Sequence, residues 1–247
     1  MTETERMDTG SEKKNTSEMP FLDHLEELRV RIIRSLLALF IAAIGAYTLS
    51  GRLLSILVRA AGELQAISPL ETFTVRLKIA VMAGLIIALP IILFQLWRFV
   101  APGLLDREKH VAAGLIFSAT ACFIIGGVFS FLLVGPMALR FLEGFATEEI
   151  KNMWSVSRYV SFILRLMLAF GIVFELPVAI FFLSKMGIVT PRLLRTKRRY
   201  AIVFIFVLAA TLTPPDIFTQ LMLAMPLILL YEIGVLVSAA AQPKRRM

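Results

Sequence analysis

The side chains able to do chemistry in this chain are few and are set into long apolar runs. Residues 24–31 read HLEELRVR and continue into IIRSLLALFIAAIGAYTL, so Glu26 and Glu27 stand beside Arg29, Arg31 and Arg34 where an apolar run begins. Basic residues at such a border follow from the positive-inside bias and from attraction to anionic lipid, but a carboxylate gains from neither. Two uses remain open for it. Glu27 can pair with Arg31 one helical turn away while Glu26 caps the helix with Asp23, or the carboxylates can receive a cation from outside the chain. A second acidic spot, LLDREKH at 104–110, has the same ambiguity: Asp106 and Glu108 fit an ordinary acidic first helical turn, favoured by the helix dipole, or a pair of free carboxylates.

Glu175 is a different case, because FGIVFELPVAIFF (170–182) places it well inside an apolar run. A carboxylate at membrane depth faces protein or water, stays protonated or has a partner, and is a functional candidate by default. The plain alternative is a neutral Glu175 bonded to a backbone carbonyl that Pro177 frees. Glu232 in LYEIGV lies nearer the end of its run and can snorkel. TLTPPDIFTQ (211–220) gathers Thr211, Thr213, Asp216, Thr219 and Gln220 around a turn forced by two prolines. Asp216 fits a cap there, whereas Gln220 falls inside the next apolar helix, where an amide seeks a hydrogen-bond partner.

No enzyme is expected from this inventory. The two histidines, His24 and His110, both sit at the borders of apolar runs, and an HExxH motif, a nucleophile elbow and a P-loop are all missing. The sequence points to no metal and no cofactor. The net charge of +8 could suggest nucleic acid, but the basic residues form short clusters between apolar runs, without a nucleic-acid-binding motif, so no nucleic acid is expected. Cys122 is the one cysteine, lies in an apolar run and reads as a buried structural thiol.

The elements that must carry these residues are membrane helices. With 58% hydrophobic and 18% charged residues and a mean hydropathy of +0.80, the chain is too apolar for a soluble domain of its length, and it lacks the alternation of barrel strands. Apolar runs predict an all-α integral membrane protein with six spans, at about 32–50, 75–97, 111–134, 158–184, 200–213 and 217–238. An even number of spans puts both termini on one side. Most of the 26 lysines and arginines fall on that side, in the N-terminal region, near 98–110, near 184–199 and in the C-terminal KRR. Arg52, Arg59, Arg76, Lys78, Arg140, Lys151 and Arg158 fall on the other, which makes both termini cytoplasmic. Residues 1–18 read as a disordered cytoplasmic tail, 19–240 as the six-helix membrane domain and 241–247 as a basic cytoplasmic tail. The connections after the first and third spans, with SPLETF (68–73) and GPMALRFLEGF (135–145), are apolar enough to form structured external caps. The fifth and sixth spans are short: about 14 apolar residues from Tyr200 to Thr213 cover only about 21 Å. The bilayer is expected to thin there.

HLEELRVR before the first span, FQLWRFVAPGL followed by Glu108 between the second and third, FGIVFELPVAI in the fourth, and LTPPDIFTQ with PLILLYEIGV at the end occur together in order and spacing. In these the chain resembles the TatC family of the twin-arginine translocase, from about residue 19 to 240. The resemblance implies a glove-shaped six-helix bundle in the cytoplasmic (inner) membrane of a prokaryote. Such a bundle recognises signal peptides with two consecutive arginines and exports folded proteins with the single-span proteins TatA and TatB, as a multimer with TatB, driven by the protonmotive force. It implies that Glu27 and Glu108, with His24 and Arg29, receive the arginine pair, since guanidinium to carboxylate is a charge-assisted and often bidentate contact. It also implies that Glu175 is the intramembrane glutamate of the concave face, and that Gln220, Thr213 and Asp216 mark where a partner helix docks. Residues 55–67 and SPLETF match only loosely, and no role is carried onto them. A proton-coupled solute transporter is the main rival, but it would need broken helices in two related halves, and no internal repeat is visible.

Overall fold

The structure, a computed structural model, describes residues 19–59, 64–100, 112–144, 154–212 and 217–241. Among them are nine α-helices and one two-residue strand pair. The helices are α1 (Met19–Tyr47), α2 (Ser50–Arg59), α3 (Pro69–Val100), α4 (Ala112–Phe129), α5 (Gly135–Glu143), α6 (Val156–Phe174), α7 (Leu176–Lys185), α8 (Pro191–Leu212) and α9 (Ile217–Ala241). Five helical stretches are long and apolar enough to cross a membrane: His24–Tyr47, Pro69–Phe99, Gly114–Glu143, Val156–Lys185 and Gln220–Ala241. The protein is therefore a multi-pass helical membrane protein.

Three expectations are corrected in detail. The fifth expected span begins at Pro191 rather than near 200, because Thr190 caps the helix, accepting the Leu193 N–H at 3.2 Å, and Pro191 fits its first turn. Its first turns carry Arg192, Arg195, Lys197, Arg198 and Arg199, and this charge keeps α8 out of the five apolar stretches. The third span does not give way to a loop at GPMALRFLEGF. A single π-helical turn, Ser130–Val134, carries the helix into α5, with the Gly135 N–H reaching back to the Ser130 carbonyl. That wider turn lets Pro136, which has no N–H, sit at the start of α5 without ending the helix. The fourth span is broken rather than continuous. The Glu175 N–H turns to the Ile172 carbonyl (3.2 Å), and α7 restarts with Pro177 in its first turn. A proline at 177 cannot donate to residue 173, so the α pattern lapses for one step.

The packing divides into two cores. One lies between α6, α7, α8 and α9, around Leu166, Phe170, Ala209, Leu223, Leu227 and Tyr231. The other joins α2, α3, α5 and α6 around Leu57, Val75, Ile79, Leu139 and Tyr159. By contrast, α1 lies almost wholly against α3 and presents Leu36, Leu37, Phe40, Ile41 and Ile44 outward. Glycine sets that crossing: a methyl at Gly84 would come within 2.6 Å of the Ala43 Cα, so only a bare backbone lets the helices meet so closely.

At the end away from His24, the described parts of the connections are tied to one another. Residues 64–65 (β1) pair in parallel with residues 154–155 (β2), Leu64 opposite Trp154 and Gln65 opposite Ser155. Glu71, in the first turn of α3, ties these segments together. Its Oε2 accepts the Ile67 N–H (2.7 Å), and its Oε1 accepts the Ser157 N–H (2.7 Å) and the Ser155 hydroxyl. Tyr159 adds a buried bond from its hydroxyl to the Leu57 carbonyl (2.9 Å), fastening α6 to α2.

Candidate functional site

The carboxylates of HLEELRVR lie on one turn of α1 beside the C-terminal turn of α3, in a groove of about 350 Å³ lined by Glu26, Glu27, Val30, Arg31, Arg34 and Arg98. The helical repeat explains the division of labour. Glu27 and Arg31, four apart, share the face turned to α3, and Glu26 shares a more exposed face with Arg29, which it meets at 3.3 Å. The Arg31 guanidinium is bound through Nη2 to Glu27 Oε1, and its Nη1 donates to the Gln95 carbonyl of α3 at 3.5 Å. Arg31 is 9% exposed, whereas the Glu27 side chain is 37% exposed. One end of the pair is therefore anchored between helices and the other faces the groove. Glu27 Oε2 has His24 Nδ1 beside it at 3.8 Å, and the His24 ring stacks on Phe99 with centroids 4.3 Å apart and planes 16° from parallel.

The internal pairing of Glu27 with Arg31 and its exposure to the groove are thus both present, so the two uses open in the sequence are not exclusive. Glu26 is paired with Arg29; the Asp23 side chain, Asp106, Glu108 and His110 lie outside the described residues. The sequence offers Arg31 only as the partner of Glu27, and assigns no role to Gln95, Arg98 and Phe99. The last three all fall in FQLWRFV, which the sequence marks only as a motif.

Glu175 stands at the break between α6 and α7 and lines an apolar cavity of about 310 Å³, with Leu96 and Trp97 from α3, Leu115 and Ala119 from α4, and Phe182 from α7. Its Oε1 is buried without a hydrogen-bond partner. Trp97 and Phe182 pack at the cavity wall with centroids 4.4 Å apart. Because α3 offers Gln95 and Arg98 to the charged groove and Leu93, Leu96 and Trp97 to the apolar cavity, one helix end joins the two spaces.

In the α8–α9 hairpin Gln220 does have a partner within the chain: its Nε2 donates to the Phe206 carbonyl of α8 at 3.0 Å. The expectation that this amide lacks one is overturned, for an α8 carbonyl lies within its reach. Glu232 pairs with Arg198 at 2.6 Å instead of only snorkelling, since the early start of α8 brings a guanidinium alongside it. Thr213, Asp216 and the Thr219 side chain lie outside the described residues. Among the described residues no group of histidine, cysteine, aspartate or glutamate could hold a metal ion.

The geometry describes a multi-pass helical membrane protein with a half-open, arginine-rich charged groove at one end and an apolar cavity containing one carboxyl behind it. The family of the Sec-independent protein translocase protein (TatC) matches residues 23–226, and the chain belongs to that family. The Carboxydothermus hydrogenoformans protein of that name is 40% identical over 92% of this chain and 95% of its own length. The one from Aquifex aeolicus is 38% identical over 92% of this chain and 98% of its own. A crystal structure of the twin arginine translocase receptor TatC superposes with a TM-score of 0.79 at 38% identity, covering 88% of this chain and 99% of that one. A second, in DDM, gives 0.80 over 87% and 99%.

Proposed function

We propose that this protein is the receptor of a prokaryotic twin-arginine translocase: it binds twin-arginine signal peptides and, with the single-span proteins TatA and TatB, exports folded proteins on the protonmotive force. Membership of the family supports the role. The observation that carries the binding site is Glu27, anchored by Arg31 yet open to the groove through its second oxygen. A guanidinium seated there would make a charge-assisted hydrogen bond. Glu108 would supply the second carboxylate, and His24 and Arg29 would border the peptide. In this reading α8 is a sixth span and both termini are cytoplasmic, because the basic starts of α1 and α8 belong on the positive side.

Glu175, facing the cavity behind that groove, serves passage rather than first contact. The α8–α9 hairpin, with Gln220 beside the outward Leu221 and Met225, receives a partner helix near Thr213 and Asp216. The decisive experiment is export of a folded reporter by this chain in cells lacking their own TatC. It is paired with twin-arginine peptide binding to the purified chain, which a solute transporter would ignore. Export with peptide binding is the expected result; binding unchanged in Glu27→Gln would remove Glu27 from the site.

A further inference from the structure

At the end of the bundle away from the charged groove, Lys78 on α3 and Arg165 on α6 are both exposed, and neither meets a carboxylate among the described residues. Cations on that side run against the positive-inside bias and call for a reason. The two helices lie side by side in the same direction: Lys78 Nζ donates to the Ser161 hydroxyl at 2.8 Å toward their starts, and Trp97 meets Phe182 of α7 toward their ends. Ser161 and Arg165, four apart, share one face of α6, and a helical side chain leans toward the N-terminal end of its helix. Arg165 therefore leans toward Ser161 and Lys78, and two cations converge on one hydroxyl. No described acid answers them. The oxygens of Glu71 are taken by Ile67, Ser155 and Ser157, and Glu175 lies about 15 Å further along, past the break between α6 and α7.

Depth identifies the missing anion. Lys78 stands about 30 Å along α3 from Arg98 of the charged groove, which is the thickness of the hydrocarbon layer, so Lys78 and Ser161 lie at the headgroup level of the opposite leaflet. Beyond Arg165 the same face of α6 continues through Leu168, Ala169 and Ile172, and Ile172 is 57% exposed. We propose that Lys78, Ser161 and Arg165 hold the phosphate of an anionic phospholipid whose acyl chain lies along Leu168 and Ile172. The guanidinium and the ammonium supply charge-assisted bonds, and the Ser161 hydroxyl, which accepts from Lys78, still has its own hydrogen to donate. Two cations are best balanced by a lipid that carries no cation itself. A phosphate already resides at this depth in a bilayer, whereas a carboxylate on a second helix would have to be brought there. Placing the lipid in the outer leaflet rests on the orientation proposed above; the contact itself does not.

The test is native mass spectrometry of the purified full chain released from nanodiscs of phosphatidylglycerol and phosphatidylcholine in equal parts, beside twin-arginine peptide binding to the same discs. Phosphatidylglycerol should be retained about tenfold over phosphatidylcholine, and Arg165→Gln or Lys78→Gln should each lower that preference about fivefold. Arg165→Lys should keep most of it. Arg140→Gln, which removes another exposed cation on that side, should leave it unchanged. An equal loss in Arg140→Gln reduces the effect to general surface charge and overturns the site, as does a preference that survives both glutamine variants. Displacement of the lipid by excess inorganic phosphate overturns it in favour of a free anion. A parent chain without the preference overturns it outright; copurification of a single-span protein that Arg165→Gln abolishes would then give these cations to a partner helix. Loss of peptide binding with the lipid preference intact strikes the receptor reading and leaves the lipid site standing.

Discussion

Two carboxylates at opposite ends of the molecule show how one functional group serves two ends. Glu71 is spent on the fold: three donors from two stretches of chain, one at 67 and the other at 155–157, converge on its two oxygens, and the result is a joint between connections distant in sequence. Glu27 is half used, with one oxygen given to Arg31 and the other left to the groove. Arginine is the natural anchor for the second case, since a single guanidinium can hold the carboxylate and a backbone carbonyl of another helix at once. Glu71 takes its bonds from the fold, and Glu27 keeps an oxygen back, which is what the proposed binding role requires.

Breaking the carboxylate spent on the fold should have the largest effect. Glu71→Ala leaves the N–H groups of Ile67 and Ser157 without their acceptor and should lower the thermal midpoint of the solubilised chain more than alanine at Glu26, Glu27 or Glu232. Limited proteolysis should then open the connections around β1 and β2 first. If Glu71→Ala melts like the parent, the joint is ornamental and the contrast fails.

At the half-used carboxylate, binding and folding should separate. Glu27→Gln keeps an acceptor for Arg31, so the melting point should hold while affinity for a twin-arginine peptide falls about tenfold. Glu27→Ala should lose both, because it also removes the acceptor of the buried Arg31 Nη2. Calorimetry beside peptide titration separates the two; a parental affinity in Glu27→Gln would contradict the assignment.

Glu175 extends the comparison to a carboxyl with an oxygen that no donor serves. Glu175→Gln preserves size and removes the ionisable proton, so export of a folded reporter should fall while peptide binding persists. Unchanged export would leave it a structural residue at the break that Pro177 makes. The smallest effect is expected at Gln220, where one hydrogen bond between α8 and α9 is at stake. Gln220→Leu should weaken partner-helix crosslinking to cysteines at Leu221, in a Cys122→Ala background, by about threefold, in keeping with about 0.6 kcal/mol for such bonds in membranes. Equal crosslinking along α3 and α4 would place docking elsewhere.

Apolar runs revealed most of the fold, because membrane helices are defined by composition over some twenty residues. What they could not reveal was structure that charge or proline disguises. The basic stretch 191–199 reads as loop by hydropathy, yet Thr190-Pro191 is a helix-start signal that outweighs it. GPMALRF reads as a break until a π turn accommodates Pro136, which is a three-dimensional solution with no local sequence mark. At the site, Glu27 and Glu175 stood out because carboxylates are anomalous where they lie. Arg31 did not, because an arginine at a membrane border is ordinary, and its burial depends on α3. Glu71 was missed for the same reason: its donors at 155 and 157 lie more than 80 residues away, where spacing along the chain carries no information.

The bond from Arg31 to the Gln95 carbonyl spans 64 residues, and this distance sets an order of events during synthesis. While α1 is entering the bilayer, the helix that will supply that carbonyl does not yet exist. A bare guanidinium at the edge of the hydrocarbon is costly to insert. Glu27, one turn earlier on the same helix, is already there to neutralise it. Arg31 has its counter-charge within its own helix, and α3 adds the Gln95 carbonyl, with Gly84 letting the two helices close. A chain lacking Glu27 should therefore meet its first difficulty at insertion, before α3 has been made.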